Sequence, residues 1–269
     1  MTDWLDIHRG DMPVVIAMPH TGSEIPAELE GGYASRWLAR KDTDWWIDQV
    51  YGFARDLGVT MVRTRISRSV IDCNRDPSGA SLYPGMTTTE LCPTRTFEGE
   101  ALYRDRTPDA DEIARRTKIW FAPYHAAVAG ELERLKARHG RVVLYDAHSI
   151  RSRVSRLFEG ELPQFNIGSH SGRACDPALS ARIVEICAAS GRTHVLDGRF
   201  KGGWTTRHYG RPSQNVHAIQ MELAFRGYHR EPDPMTPDTW PGPYDAAYAA
   251  PLVATLTDII KACIAFAHT

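Results

Sequence analysis

The chain has 269 residues, of which 42% are hydrophobic and 24% charged, and this composition is typical of a protein with a folded core. Its 32 basic and 33 acidic side chains leave a formal net charge of −1, which provides no overall field to attract nucleic acid or anionic lipid. The acidic N-terminal segment argues against a signal peptide, and an odd number of cysteines argues against a disulfide framework. We therefore expect one cytoplasmic domain over residues 1–269, with reduced thiols and no nucleic-acid or membrane partner; the oligomeric state stays open.

Alternating segments of two kinds predict the fold class in chain order. Short apolar runs bounded by Gly, Pro or polar residues predict strands at 13–18, 59–65, 70–73, 142–145, 194–196 and 218–223. Longer apolar-periodic stretches predict helices at 45–57, 110–138, 177–190 and 244–266, the second of them kinked or divided by Pro123. Residues 76–108, rich in Thr, Pro and Gly and without periodicity, predict a long functional loop or lid. The alternation favours an α/β sheet with helices on its faces.

Two histidines stand at the ends of predicted strands, where ligands of open α/β sheets bind. His20 follows the run Val14–Met18, and His148 follows Val142–Tyr145 with Asp146 two residues before it. Imidazole is the commonest protein ligand of zinc, and a neighbouring carboxylate can orient it. A histidine at a strand end is also often purely structural, so the pair leaves both roles open.

Two further sites carry charge directly inside or after apolar runs. Glu222 interrupts the apolar run 218–223, so it should face a cation or a polar cleft, unless a salt bridge neutralises it. Asn74 and Arg75 follow the run 70–73, and the planar fork of arginine suits a carboxylate ligand. Arg75 could equally pair with a nearby aspartate.

An acidic metal ligand has two candidates. Asp44 lies at the start of a predicted helix, where it could also act as an N-cap, and Glu24 lies four residues after His20. A glycine-flanked basic loop at 200–210 could close over an anionic substrate or could be an ordinary surface turn.

An ordered set of motifs resembles the N-formylglutamate amidohydrolase (N-formylglutamate deformylase) family of histidine degradation. The motifs are PHTG at 19–22, DTDW at 42–45, SRSVIDCNRDP at 67–77, LCPTRTFEGE at 91–100, PYH at 123–125, YDAHSIRS at 145–152 and FKGGWTTRHYG at 200–210. That family is related to the zinc carboxypeptidases, so the resemblance implies a three-layer α/β sandwich with a mixed central sheet, one zinc ion and hydrolysis of N-formyl-L-glutamate to L-glutamate and formate.

The resemblance also implies roles for individual residues. His20 and His148 become zinc ligands, Glu222 the general base, and Asn74 with Arg75 the carboxylate-binding pair. Carboxypeptidases place a glutamate three residues after the first histidine, where this chain has Ser23, so we prefer Asp44 over Glu24 as the third ligand because DTDW belongs to the deformylase pattern.

The expected chemistry assigns the remaining candidates. Arg68 and His208 are candidates to stabilise the oxyanion of the tetrahedral intermediate. A dicarboxylate substrate needs a second cationic partner besides Arg75, for which Arg207 is our choice and Arg151 the alternative.

Three other functions compete with this hypothesis. A zinc amidohydrolase of the same superfamily could act on another N-acylated amino acid or a small peptide. A metal-free thiol hydrolase could use Cys92 or Cys73 with His125, and a non-catalytic module could bind an acidic ligand, although it would not need Glu222.

Overall fold

A computed structural model describes residues 3–81, 85 and 88–269. Its centre is a seven-stranded mixed sheet in the order β1-β3-β2-β4-β7-β5-β6. The strands are β1 (Leu5–His8), β2 (Val14–Met18), β3 (Thr60–Thr64), β4 (Val142–Ile150), β5 (Phe165–Gly168), β6 (His194–Leu196) and β7 (Val216–Ala224). Strands β3, β2, β4 and β7 run parallel to one another. Strand β1 pairs antiparallel with β3 and β5 pairs antiparallel with β7, whereas β5 and β6 are parallel.

Helices cover both faces of the sheet, which gives three layers and confirms the predicted α/β class. The helices are α1 (Ala27–Glu30), α2 (Leu38–Lys41), α3 (Ile47–Val50), α4 (Ala110–Arg116), α5 (Ala122–His139), α6 (Pro177–Ala189), α7 (Trp204–Tyr209) and α8 (Ala246–Ala267). On one face of the sheet, the odd-numbered residues of β2 pack with helix α5. On the other face, the even-numbered residues of β2 pack with α6 and α8. Side chains alternate between the faces of a strand, so central strands such as β2 and β4 contribute to two separate cores.

Local sequence explains where several helices begin and end. The side chains of Asp109, Asp176 and Asp245 accept hydrogen bonds from backbone N–H groups in the first turns of α4, α6 and α8. Gly140 ends α5 with a φ of 80°, in the left-handed region that glycine tolerates. The predicted division near Pro123 takes the form of a π-helical turn over Thr117–Phe121, which separates α4 from α5.

By length and composition alone, helix α8 could cross a membrane, since an 18-residue stretch of it has a mean hydropathy of 1.6. In the structure, however, Leu252, Leu256, Ile259 and Ile260 are fully buried in the larger of the cores. This packing is what a core helix of a globular domain shows. The predicted cytoplasmic location stays a prediction.

The structure corrects the predicted strand at 70–73. This segment is buried but irregular, because local side-chain bonds replace a strand ladder: Asp72 Oδ1 accepts from Asn74 N at 2.8 Å, and Asp72 Oδ2 accepts from Arg68 Nη2 at 2.8 Å. The predicted helix 45–57 is also shorter, with α3 followed by a 3-10 turn at Gly52–Arg55. In the predicted loop 76–108, the described residues form only isolated bridges; residues 82–84 and 86–87 lie outside the described residues.

Candidate metal centre and active-site cleft

Three buried side chains from separate parts of the chain meet at the C-terminal edge of the parallel strands. They are His20 after β2, Asp44 before α3 and His148 within β4. His148 Nδ1 lies 3.0 Å from His20 Nδ1 and 3.3 Å from Asp44 Oδ2, and the third distance, from His20 Nδ1 to Asp44 Oδ2, is 3.8 Å. Two nitrogens and one oxygen at these separations form a group that can hold a metal ion.

Strand order and turn geometry bring the three ligand candidates together. Strands β2 and β4 are parallel neighbours, so their C-terminal ends, which carry the two histidines, lie side by side. The backbone N–H of Asp44 donates to His20 O at 2.9 Å, and that of Ser149 donates to Asp44 Oδ2 at 2.9 Å. Trp46 has a φ of 66°, which is rare for a residue with a side chain and lets the chain turn from Asp44 into α3.

Each histidine has a buried carboxylate at its other ring nitrogen. His20 Nε2 lies 2.6 Å from Asp72 Oδ1, and His148 Nε2 lies 2.9 Å from Asp146 Oδ1. A carboxylate accepts a hydrogen bond from an N–H group, so a proton on each Nε2 would leave both Nδ1 lone pairs available towards Asp44. This outer-carboxylate arrangement is typical of metal-bound histidines.

The residues present fit a divalent cation. Burial lowers the pKa of His20 to about 4, whereas the pKa of His148 is raised despite burial because Asp146 and Asp44 favour its charged form. A cation placed beside the two facing Nδ1 atoms would be bound by both. The buried Asp44 Oδ1 also has no hydrogen-bond partner among the described residues. Tetrahedral zinc with bonds of about 2.0–2.2 Å requires ligand atoms roughly 3.3–3.6 Å apart, close to the spacing observed.

Glu222 lies beside this group on the neighbouring strand. It is paired in register with His148 across β4 and β7, and its side chain shares the sheet face of Gln220, since both occupy even positions of β7. Gln220 Nε2 donates to Glu222 Oε2 at 3.0 Å. Burial raises the pKa of Glu222 to about 7, so this carboxyl group can both accept and release a proton near neutral pH.

A cleft opens over the metal-ligand candidates and is lined by three guanidinium groups. Arg68, Arg75 and Arg199 line it together with Phe97 and Glu222. Arg75 is held by three donations, to Thr89 O at 3.1 Å, Thr89 Oγ1 at 2.9 Å and Asn74 O at 3.1 Å. A cleft with these side chains suits a small anionic ligand.

Arg68 is the most deeply placed of the three cations. It donates to Asp72 Oδ2 at 2.8 Å, lies 3.5 Å from Asp44 Oδ1 and stacks over the Phe97 ring at 4.8 Å from its centroid. Asp44 and Asp72 favour its charge, so the pKa of Arg68 is raised even though burial opposes it. A permanently charged donor therefore faces the cleft.

The other predicted site residues lie in different surroundings. Asn74 lines the cleft, with Nδ2 2.9 Å from His148 Nε2. Glu24 is apart from the histidines and pairs with Arg65 at the surface, its Oε1 accepting from Nε at 2.7 Å. Arg151, Arg207 and His208 are outside the cleft lining.

Their contacts explain these three positions. Arg151 forms an ion pair with Glu98 and lies 3.7 Å from Asp42 Oδ1. On the short helix α7, Arg207 Nε donates to Gly202 O at 2.8 Å, and the exposed His208 ring stacks on Trp204 at 4.1 Å.

The geometry does not favour the thiol-hydrolase alternative. Burial raises the pKa of the Cys73 thiol well above its ordinary value and that of Cys92 to about 11. His125 Nε2 lies 2.8 Å from the carbonyl oxygen of Cys73, and burial lowers the pKa of this histidine to about 4. Both thiols are therefore protonated at neutral pH, and His125 bonds to a carbonyl oxygen.

Sequence reasoning missed Asp72, Gln220, Phe97 and Arg199 at this site. Asp72 was detectable as an isolated carboxylate inside the apolar run 70–73, and Gln220 shares the even positions of β7 with Glu222. Phe97 and Arg199 come from irregular segments, for which no periodicity indicates the direction of a side chain.

Comparison with known proteins shows which family the chain is similar to. A family profile described as N-formylglutamate amidohydrolase matches residues 12–229. The chain is 42% identical over 264 residues to the N-formylglutamate deformylase of Pseudomonas putida, covering 97% of this chain and 96% of that protein. It is also 42% identical over 268 residues to the N-formylglutamate deformylase of Pseudomonas aeruginosa, covering 99% and 98%.

Solved structures share the fold at lower identity. An N-formylglutamate amidohydrolase from Ralstonia eutropha JMP134 has a TM-score of 0.78 at 23% identity, with 96% of this chain and 97% of that chain covered. A gene product of Agrobacterium tumefaciens has a TM-score of 0.71 at 17% identity, with 98% and 96% covered. Together the fold, the nearly full-length relatives and the family match confirm the resemblance: the chain belongs to the N-formylglutamate amidohydrolase family.

Proposed function

We propose that the protein hydrolyses N-formyl-L-glutamate to L-glutamate and formate with a zinc ion held by His20, Asp44 and His148. The observation that carries the proposal is the buried His-Asp-His group with Glu222 beside it, under a cleft lined by arginines. The names of the Pseudomonas relatives, each matched over nearly its whole length, support the choice of substrate.

Hydrolysis of a stable amide bond requires catalysis at both the carbonyl carbon and the nitrogen. Amide resonance makes the formyl carbon a poor electrophile and the nitrogen a poor leaving group. When bound, zinc supplies Lewis acidity, which increases the acidity of water and the electrophilicity of a carbonyl carbon. The protein must then move one proton from the attacking water to the departing nitrogen.

Glu222 is the group proposed to move that proton. Gln220 donates to Oε2 of the carboxylate, so Oε1 is the oxygen that would accept the proton from water. A pKa raised to about 7 by burial suits a group that acts first as a base and then as an acid. Transfer to the nitrogen lets the C–N bond break, and glutamate and formate leave.

The cationic side chains bind the substrate and stabilise developing charge. We assign one substrate carboxylate to Arg75, whose guanidinium is fixed at the cleft by Thr89 and Asn74. Arg68, buried and charged, is assigned to the oxyanion of the tetrahedral intermediate. Neutral substrates would leave cationic groups in the cleft without a charged partner, which costs binding energy.

A panel of matched substrates tests this proposal with purified, zinc-loaded protein. We expect formate release from N-formyl-L-glutamate, with a kcat/KM at least about 100-fold above that for N-formyl-L-glutamine, which lacks only the side-chain charge. N-acetyl- and N-succinyl-L-glutamate test the acyl group. Faster cleavage of either of them than of the formyl compound would contradict the proposal and favour another acyl-amino-acid hydrolase.

A further inference from the structure

A small hairpin over residues 95–101 places an aromatic side chain at the cleft. An isolated antiparallel bridge joins Arg95 to Ala101, and a turn with Gly99 at a φ of 95° forms its tip. Phe97 lies in this tip, is only 6% exposed and packs over the Arg68 guanidinium. The hairpin therefore forms one wall of the cleft.

Charged groups fix the hairpin from both sides. The Glu98 carboxylate pairs with Lys41 Nζ through one oxygen and with Arg151 Nη1 through the other. Lys41 is only 4% exposed and also donates to Glu100 Oε2 at 2.6 Å. The backbone N–H of Phe97 donates to Asp42 Oδ2 at 2.6 Å, which fixes the same tip to the segment that carries Asp44.

The two cations that bind Glu98 lie next to the metal-ligand candidates in sequence. Lys41 is three residues before Asp44, and Arg151 is three residues after His148. One carboxylate therefore connects the hairpin to both ligand-bearing segments. The adjacent residue, Phe97, packs over Arg68 and lines the cleft, so it is the part of the hairpin that reaches the site.

We infer that Glu98 is a positioning residue, which holds Phe97 over Arg68 and so keeps the Arg68 guanidinium aimed at the reacting group. The expected effect of Glu98 on kcat rests on the proposed hydrolysis. The closing of the hairpin by Glu98 does not depend on that function. Glu98 itself is nearly half exposed, with 44% of its side chain accessible, so its replacement does not open the core.

A double-mutant cycle tests the route through Phe97. We expect Glu98→Gln, which keeps shape and removes charge, to lower kcat about tenfold because the Arg68 donor shifts, with a smaller change in KM. In a Phe97→Ala background the same substitution should have almost no further effect on kcat. Glu161→Gln is the matched control, since Glu161 also pairs with two arginines at 41% exposure, and these partners, Arg153 and Arg226, lie outside the hairpin.

Limited trypsin digestion tests whether the hairpin stays closed and does not depend on enzymatic activity. Cleavage after the exposed Arg95 should be several-fold faster in Glu98→Gln than in the wild type and unchanged in Glu161→Gln. Equal cleavage rates, or equal losses of kcat with and without Phe97, would overturn the inference. If the wild type released no formate, the proposed function would fail, whereas the digestion would still decide whether Glu98 closes the hairpin.

Discussion

Gly203→Ala places a methyl group directly against a side chain of the candidate site. Gly203 has a φ of −78°, which alanine adopts freely, so only the added methyl group matters. That methyl group would lie 2.3 Å from Asn74 Nδ2, and ordinary contacts begin near 3.4 Å, so the Asn74 amide must move by about 1 Å. The same amide contacts His148 Nε2 at 2.9 Å and accepts from Thr205 N at 2.8 Å.

A displacement of this size at a reacting site lowers rates strongly. We expect kcat/KM for N-formyl-L-glutamate to fall about 100-fold at saturating metal, because an error of 1 Å in position has effects of that order. Gly130→Ala is the matched control: Gly130 lies in α5 with open space around its Cα, so alanine should raise the unfolding free energy by about 0.5–1 kcal/mol and leave activity unchanged. Wild-type kinetics in Gly203→Ala would refute the reasoning that Asn74 must stay in place.

Three further substitutions test separate parts of the account. Glu222→Gln should retain bound zinc and lower kcat by about 10²–10⁴-fold, since the side chain can no longer move a proton; near-normal turnover would remove Glu222 as the base. Asp72→Asn should weaken zinc affinity about 10–100-fold in a competition titration with a chelator, because His20 loses its charged acceptor, and an unchanged affinity would contradict that role. Burial lowers the pKa of His125 to about 4, so this histidine stays neutral in the folded protein down to about that pH, whereas in the unfolded chain it binds a proton below about pH 6.5. Lowering the pH from about 6.5 to about 4 therefore removes up to about 3 kcal/mol from the free energy of unfolding. In His125→Asn, urea unfolding at several pH values should lack this part of the decline, and an identical slope would show that His125 does not titrate in this way.

The sequence was sufficient for elements whose pattern is periodic. Strand β2, β6 and the helices α6 and α8 lie within a few residues of their predicted bounds, because apolar spacing alone determines them. Strand β4 was predicted only to Tyr145, since Asp146 and His148 break its apolar run; these residues in fact lie inside the strand, on one face, with Glu222 beside them. The polar residues of this strand therefore indicated the site correctly, but they led to a predicted strand that was too short.

Long-range pairing determined what the sequence alone left open. The choice between Asp44 and Glu24 depends on a turn that bonds Asp44 N to His20 O, and no local pattern encodes that contact. Arg151 stands three residues after His148 and looked suitable for a substrate carboxylate, but an acidic residue about 50 positions away in sequence, Glu98, binds it instead. Such partners follow from the packing of distant loops.

The central claim is that a metal ion held by His20, Asp44 and His148 is required for hydrolysis. Protein stripped of metal by a chelator should be titrated with zinc while bound zinc and formate release from N-formyl-L-glutamate are measured on the same samples. The account predicts that activity rises in proportion to zinc and reaches its maximum at one ion per chain, and that His148→Ala neither retains that ion nor recovers activity. Full formate release by the metal-free protein, or tight binding of one zinc by His148→Ala, would contradict it.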